Sequence, residues 1–194
     1  MKRWGAVLGC VVLLSAFACS NDDDEPQPSA LPTATLASPT ATPCAVEGAT
    51  TEAREIEGEQ FGPVIDVRQT EDGCPRIVYE FKDAVPGYKV AYADGPFQEC
   101  GSGADVDTSA WNASAFLQVR LEPSGGPDLE GEGEPYYKGP RDIAVDGVVL
   151  KHMKVICDFE GVVEWVVGLD AQHPFDVNTF EDPQRLVIDI SGTT

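Results

Sequence analysis

Two histidines, His152 and His173, are the only side chains in this sequence able to act as a base near neutral pH without a displaced carboxylate. His152 falls on the polar side of an alternating run beside Lys151 and Lys154, and His173 precedes Pro174 in a turn, so both read as surface or loop histidines. The motifs G-x-S-x-G, H-E-x-x-H, a phosphate-binding glycine loop and C-x-x-C are absent, which removes the opening argument for a serine hydrolase, zinc protease, nucleotide enzyme or thiol oxidoreductase. Glycoside hydrolysis needs two carboxylates at a set separation. With 33 acidic residues in the chain, two neighbouring carboxylates identify nothing. A small hydrolase working through acidic residues is therefore a third-ranked reading, with no catalytic residue and no cofactor assigned. The run Asp22, Asp23, Asp24, Glu25 lacks the spaced oxygens and turn glycine of a calcium loop, and no metal site is assigned.

The cysteines carry more chemistry. Cys44, Cys74, Cys100 and Cys157 make an even number beyond the N-terminal segment, and in an exported chain they read as two disulfides. Zinc would want tighter pairs. Of the three connectivities that four cysteines allow, Cys44 with Cys74 and Cys100 with Cys157 is preferred, each bridge stabilising by about 3–4 kcal/mol in the chain-entropy description. The other two pairings stay open.

Export itself is read from the N-terminus. Lys2 and Arg3 precede the uncharged run Trp4 to Ala18, which has small residues at its end and is built like a secretory signal peptide. It is too short for a comfortable membrane span, which takes roughly twenty apolar residues. Leu14, Ser15, Ala16, Phe17, Ala18, Cys19 resembles a bacterial lipobox, which implies that the Cys19 thiol receives a diacylglycerol and becomes the first residue of an anchored chain. A plain signal peptide cleaved nearby is the alternative, leaving Cys19 as an odd thiol. Cys10 reads as part of the signal helix.

From Ser20 to Thr51 the chain is rich in Pro, Ser, Thr and Ala and nearly free of large apolar residues. It cannot bury enough surface to offset its ordering entropy, so 19–53 is expected to be a disordered tether reaching at most on the order of 100 Å. The formal net charge is −20 and becomes more negative once Lys2 and Arg3 leave with the signal. That balance argues against nucleic acid or anionic lipid surfaces as partners, because nothing offsets the repulsion.

Beyond Arg54 the pattern turns to period two, the mark of strands with one buried face. The predicted inward sets are Ile65 and Val67; Ile77, Tyr79 and Phe81; Tyr88, Val90 and Tyr92; and Leu117, Val119 and Leu121. Met153, Val155, Cys157 and Phe159 follow, then Val163, Trp165, Val167 and Leu169; Phe175, Val177 and Thr179; and Leu186, Ile188 and Ile190. Trp165 belongs to the core. About eight strands with Gly and Pro turns and no amphipathic helix indicate an all-β antiparallel sandwich or barrel over 54–194, following a signal peptide at 1–18 and a tether at 19–53.

Several ordered segments of this half resemble the AMIN-like domain of bacterial envelope lipoproteins. They are GCPRIVYEFKDAVPGYKVAYADG (Gly73 to Gly95), YKGPRD (Tyr137 to Asp142), DFEGVVEWVVGLD (Asp158 to Asp170) and HPFDVNTFEDPQRLVIDI (His173 to Ile190). The related AMIN domain is a β-sandwich that places enzymes on the wall by binding peptidoglycan. The resemblance thus implies a β-sandwich with a noncatalytic role outside the cytoplasm, its partner being peptidoglycan or an envelope protein. Two long loops, Asp94 to Ser114 and Pro123 to Asp142, depart from the family pattern. Within them Phe97, Trp111, Tyr136 and Tyr137 are candidates to stack on sugar rings, and Arg141 to fork onto a stem-peptide carboxylate; packing of the loops onto the sandwich is the competing expectation. The acidic balance favours a ligand bearing amines or a basic protein.

Overall fold

The computed structural model describes residues 43–125 and 133–193. The signal peptide, the lipidation of Cys19 and the first part of the tether lie outside the described residues. In chain order the strands are β1 (Pro43–Cys44), β2 (Arg54–Ile56), β3 (Val64–Thr70), β4 (Arg76–Phe81), β5 (Gly87–Tyr92), β6 (Phe97–Gln98), β7 (Asp105–Val106), β8 (Ala115–Glu122), β9 (Asp142–Ala144), β10 (Leu150–Phe159), β11 (Val162–Leu169), β12 (Phe175–Phe180), β13 (Arg185–Ile190) and β14 (Gly192–Thr193). The eight longer strands are the eight predicted from alternation, and among the described residues no helix forms.

A six-stranded sheet has the order β2-β5-β8-β11-β10-β9 and a four-stranded sheet the order β12-β13-β4-β3; β1 with β14 and β6 with β7 form short ribbons. All pairings are antiparallel. The inward residues of the two sheets meet in one core, where Ile77, Tyr79 and Phe81 of β4 and Leu186 and Ile188 of β13 face Leu117 and Leu121 of β8 and Trp165 of β11. Each such side chain contributes about 1.5–3 kcal/mol by leaving water. This is the expected β-sandwich.

Two bulges overturn parts of the predicted pattern. In β3 the register slips between Val64 and Asp66, so Val64 and Val67 point inward while Ile65, the extra residue, is exposed. In β10 it slips between Val155 and Cys157, so Cys157 stands opposite Glu164 and Phe159 opposite Val162. Cys157 and Phe159 therefore leave the inward face, and Asp158, expected outside, takes the row of the buried Val163. One inserted residue is enough, because side chains alternate faces along a strand.

The fold also begins before Arg54, inside the segment expected to be tether. Cys44 is bonded to Cys74 and Cys100 to Cys157, with Cα separations of 5.2 and 5.1 Å. Pro43 pairs with Thr193, Val46 N–H donates to Ser191 Oγ at 3.0 Å, and Thr50 and Phe175 exchange main-chain hydrogen bonds of 2.9 Å in both directions. Composition misplaces this boundary because a disulfide and main-chain hydrogen bonds can hold a segment that has few apolar side chains.

Strand direction sorts the connections between the two ends of the sandwich. The β1–β14 ribbon lies at one end with the β3–β4 turn, to which the disulfide at Cys44 and Cys74 ties it. The connections β2–β3, β4–β5, β10–β11 and β12–β13 all lie at the opposite end, and so do residues 123–125 and 133–141.

Candidate functional site

The loop between β5 and β8 doubles back over the outer face of the six-stranded sheet. Phe116, Ile156 and Val166 point outward there, and they need a cover. Phe97 and Trp111 supply it, making a second apolar cluster with Val106, Ala93 and Ala113 around them. The bridge from Cys100 to Cys157 and the hydrogen bond from Cys100 N–H to the Ile156 carbonyl (2.9 Å) hold the loop down. Phe97 and Trp111 are only 6% and 7% exposed. Phe97 and Trp111, candidates to stack on a sugar, are packed onto the sheet, which was the competing expectation, because Phe116, Ile156 and Val166 present outward apolar surface that the loop covers.

Trp111 lies face to face with the His152 imidazole, centroids 4.1 Å apart and planes 11° from parallel. His152 Nε2 is 2.6 Å from Asp142 Oδ1, and Lys154 Nζ is 3.2 Å from the other oxygen of the same carboxylate. Burial pushes the Asp142 carboxyl up, but hydrogen bonds from His152 and Lys154 and their charge bring it below its ordinary value. His152 is thus on the polar side of its strand, as expected, yet covered by an indole. His173 is in its turn, 2.8 Å from Asp170 Oδ1 through Nε2, and its main chain is held by Tyr92. The two histidines are therefore separately engaged, each with a carboxylate from a neighbouring turn or strand. Among the described residues no three of His, Cys, Asp and Glu gather as metal ligands.

Residues 133–141 of the second long loop lie at the end of the sandwich remote from β1. Tyr137 plugs the core there, only 8% exposed, with its ring edge-on to Trp165 at 5.6 Å and its hydroxyl donating to the Pro140 carbonyl at 2.9 Å. Burial holds the Tyr137 hydroxyl above its ordinary value, with Asp66 adding to the effect and Arg141 opposing it. It too packs in place of presenting a ring. Gly139 is required under it, since a Cβ would meet the Tyr137 hydroxyl and ring at 2.5–2.7 Å.

Tyr136 and Arg141 stay at the surface. The Tyr136 ring meets Phe61 edge-on at 6.1 Å, and Lys82 Nζ sits 5.3 Å from its centroid. Arg141 Nη1 lies 2.8 Å from Asp158 Oδ2, a carboxylate that the β10 bulge brings to the mouth of the core. The crevice between Tyr137, Arg141, Asp158 and Trp165 measures about 10 Å³, the room of roughly one water and far below that of a sugar. Any ligand of this end must lie across it. Of the five candidate ligand contacts, the structure brings Tyr136, Tyr137 and Arg141 to one end and leaves Phe97 and Trp111 on the sheet face. Sequence reasoning missed Phe61, which precedes β3 without any alternation to mark it, and Asp158, whose exposure it inverted.

An antiparallel β-sandwich is the architecture that the resemblance implied. The family model described as the AMIN-like domain matches residues 62–192, almost the whole sandwich. Comparison with curated proteins and with solved structures finds no match for the chain. The match extends from the segment before β3 to the first residue of β14, and on that extent the chain belongs to the AMIN-like domain family.

Proposed function

We propose that this protein is a noncatalytic, membrane-anchored envelope lipoprotein whose β-sandwich binds cell-wall peptidoglycan, either glycan or stem peptide. The family match carries the reading, since AMIN-like domains are envelope modules generally associated with binding and not chemistry. The surface supports it: the aromatic-lined crevice at the loop end is too small for a substrate, and the larger depressions are open and lined by mixed charge. Lipid on Cys19 would hold the chain outside the cytoplasmic membrane, and the segment before Pro43 would let the domain reach the wall.

A second reading is docking on another envelope protein by strand addition. The short edge strand β2 favours it, with both Glu55 and Ile56 exposed. Sedimentation of the full-length protein with insoluble peptidoglycan, with and without attached wall polymers and across a salt series, tests the first reading. Saturable retention that survives salt is expected. Absence from the pellet, together with a specific crosslinked protein partner, would replace it by the second.

A further inference from the structure

The exposed apolar side chains are not spread evenly over the sandwich. Among the described residues, Ile56, Phe61, Ile65, Phe159 and Phe180 all lie at the end remote from β1, and of the exposed large apolar ones only Val148 lies near the other end. Single exposed apolar residues are ordinary; their collection at one end is not. The chain enters the domain at Pro43, pinned by the disulfide from Cys44 to Cys74 and by the pairing with β14. The apolar end is therefore opposite the end at which the chain enters the domain.

Charge at that end defines the occupant. Its basic groups are engaged: Arg141 with Asp158, Arg120 with Glu122 and Glu164, Lys82 over the Tyr136 ring, and Arg185 over the Phe180 ring at 5.5 Å. The exposed carboxylates Glu57, Glu59, Asp83, Glu160, Glu181 and Asp182 have, among the described residues, no cationic partner. Glu57 and Glu59 line an open groove of about 980 Å³ that runs past Tyr88 and Lys89 to Pro123. An occupant that satisfies this surface brings positive charge and some apolar length.

We infer that the end of the sandwich remote from Pro43 is the wall contact and recognises the free amine of the peptidoglycan stem peptide, with the carboxylates of Glu57 and Glu59 taking the amine and the exposed side chains of Ile56 and Phe61, in the same stretch of chain, taking the apolar flank of the peptide. This rests on the peptidoglycan reading above. Such a contact weakens with salt without vanishing, because its apolar part is not screened.

The test uses the full-length protein and soluble muropeptides: a disaccharide tetrapeptide with a free side-chain amine, the same compound N-acetylated on that amine, and the disaccharide alone. Affinity is expected to fall at least tenfold on acetylation. A comparable loss is expected for the Glu57→Gln, Glu59→Gln double variant and for Ile56→Ser in the same groove, while Val148→Ser near the other end binds as wild type. Thermal unfolding of each exposed-site variant checks that the fold is kept. Equal binding of the acetylated and free forms, or wild-type binding by the end variants while insoluble wall still retains the protein, overturns the inference and leaves the wall reading standing. Failure of wild type to bind wall at all removes both. Retention of the same end by a lysine-rich protein, with indifference to muropeptides, replaces the stem peptide by a protein.

Discussion

The Tyr92 hydroxyl is bonded twice to the main chain of His173, donating to its carbonyl at 2.7 Å and accepting from its N–H at 2.8 Å. Tyr92 ends β5 in one sheet, and His173 lies in the connection that leads into β12 of the other. One phenol thus couples the two layers and satisfies two main-chain groups of a half-buried turn. Burial, partly opposed by the bond to His173 and reinforced by Asp170, raises the pKa of this hydroxyl, so it stays a neutral donor. Tyr92→Phe should cost about 1–3 kcal/mol, mostly as the penalty of leaving those groups unpaired. A shifted urea midpoint at constant slope, with wall binding unchanged, is the expected result.

Trp111 separates packing from recognition. If it covers Phe116 and Val166 as the structure shows, Trp111→Ala leaves a cavity and destabilises by about 3–5 kcal/mol. Wall retention measured well below the unfolding midpoint should then match wild type. A variant of native stability that no longer sediments with wall would instead make the indole a ligand platform.

Glu71 lies in the turn between β3 and β4, and its carboxylate gathers three consecutive main-chain donors at the start of β10: Val148 at 2.6 Å, Val149 at 3.0 Å and Leu150 at 2.5 Å. Hydrogen bonds to a charged group contribute about 1.5–3 kcal/mol each at most and share their desolvation here. Glu71→Ala is expected to cost about 3 kcal/mol and to speed amide exchange at 148–150. Unaltered exchange at those three amides would refute the clasp.

Asp142 supplies a small pH dependence. Its carboxyl is depressed in the fold because the bonds to His152 and Lys154 outweigh burial, so its contribution is present above the ordinary aspartate value of 3.8 and is lost as pH falls through the lower folded value. The group is more than half exposed, which limits the effect to less than about 1 kcal/mol. The stability gap between wild type and Asp142→Asn should be constant near neutrality and close in acid. A gap that widens as pH falls would contradict the assignment.

Replacing both Cys44 and Cys74 by Ser should cost about 3 kcal/mol and release Pro43–Cys44 from β14. Amide exchange at Cys44 and Val46 reports the release, while the β10–β11 pairing stays protected. Loss of protection throughout the sandwich would mean that the bridge is required for the whole fold.

Much of this architecture was legible beforehand because its strands carry clean alternation. Leu117, Val119 and Leu121 on β8 and Leu186, Ile188 and Ile190 on β13 announce both strand and buried face, and the structure buries all six. The same rule failed at Ile65 and Cys157. Each lies at a bulge, and a single additional residue exchanges the two faces of everything beyond it without altering the composition of the run.

The candidate site was less legible for a related reason. An aromatic residue in a long loop reads alike whether it covers a sheet or waits for a ligand, and Trp111 and Tyr137 cover while Tyr136 stays at the surface. What decides between them is apolar surface elsewhere, Ile156 and Val166 beneath Trp111 and Trp165 beside Tyr137. By itself the sequence determined the all-β class, the eight main strands and the inward set of most of them, since these follow from local periodicity and turn residues. Only the tertiary structure decided where the fold begins, which rings are spent on packing, and that the exposed apolar residues collect at the end remote from Pro43. Those depend on contacts between residues far apart in the chain, and no local pattern encodes them.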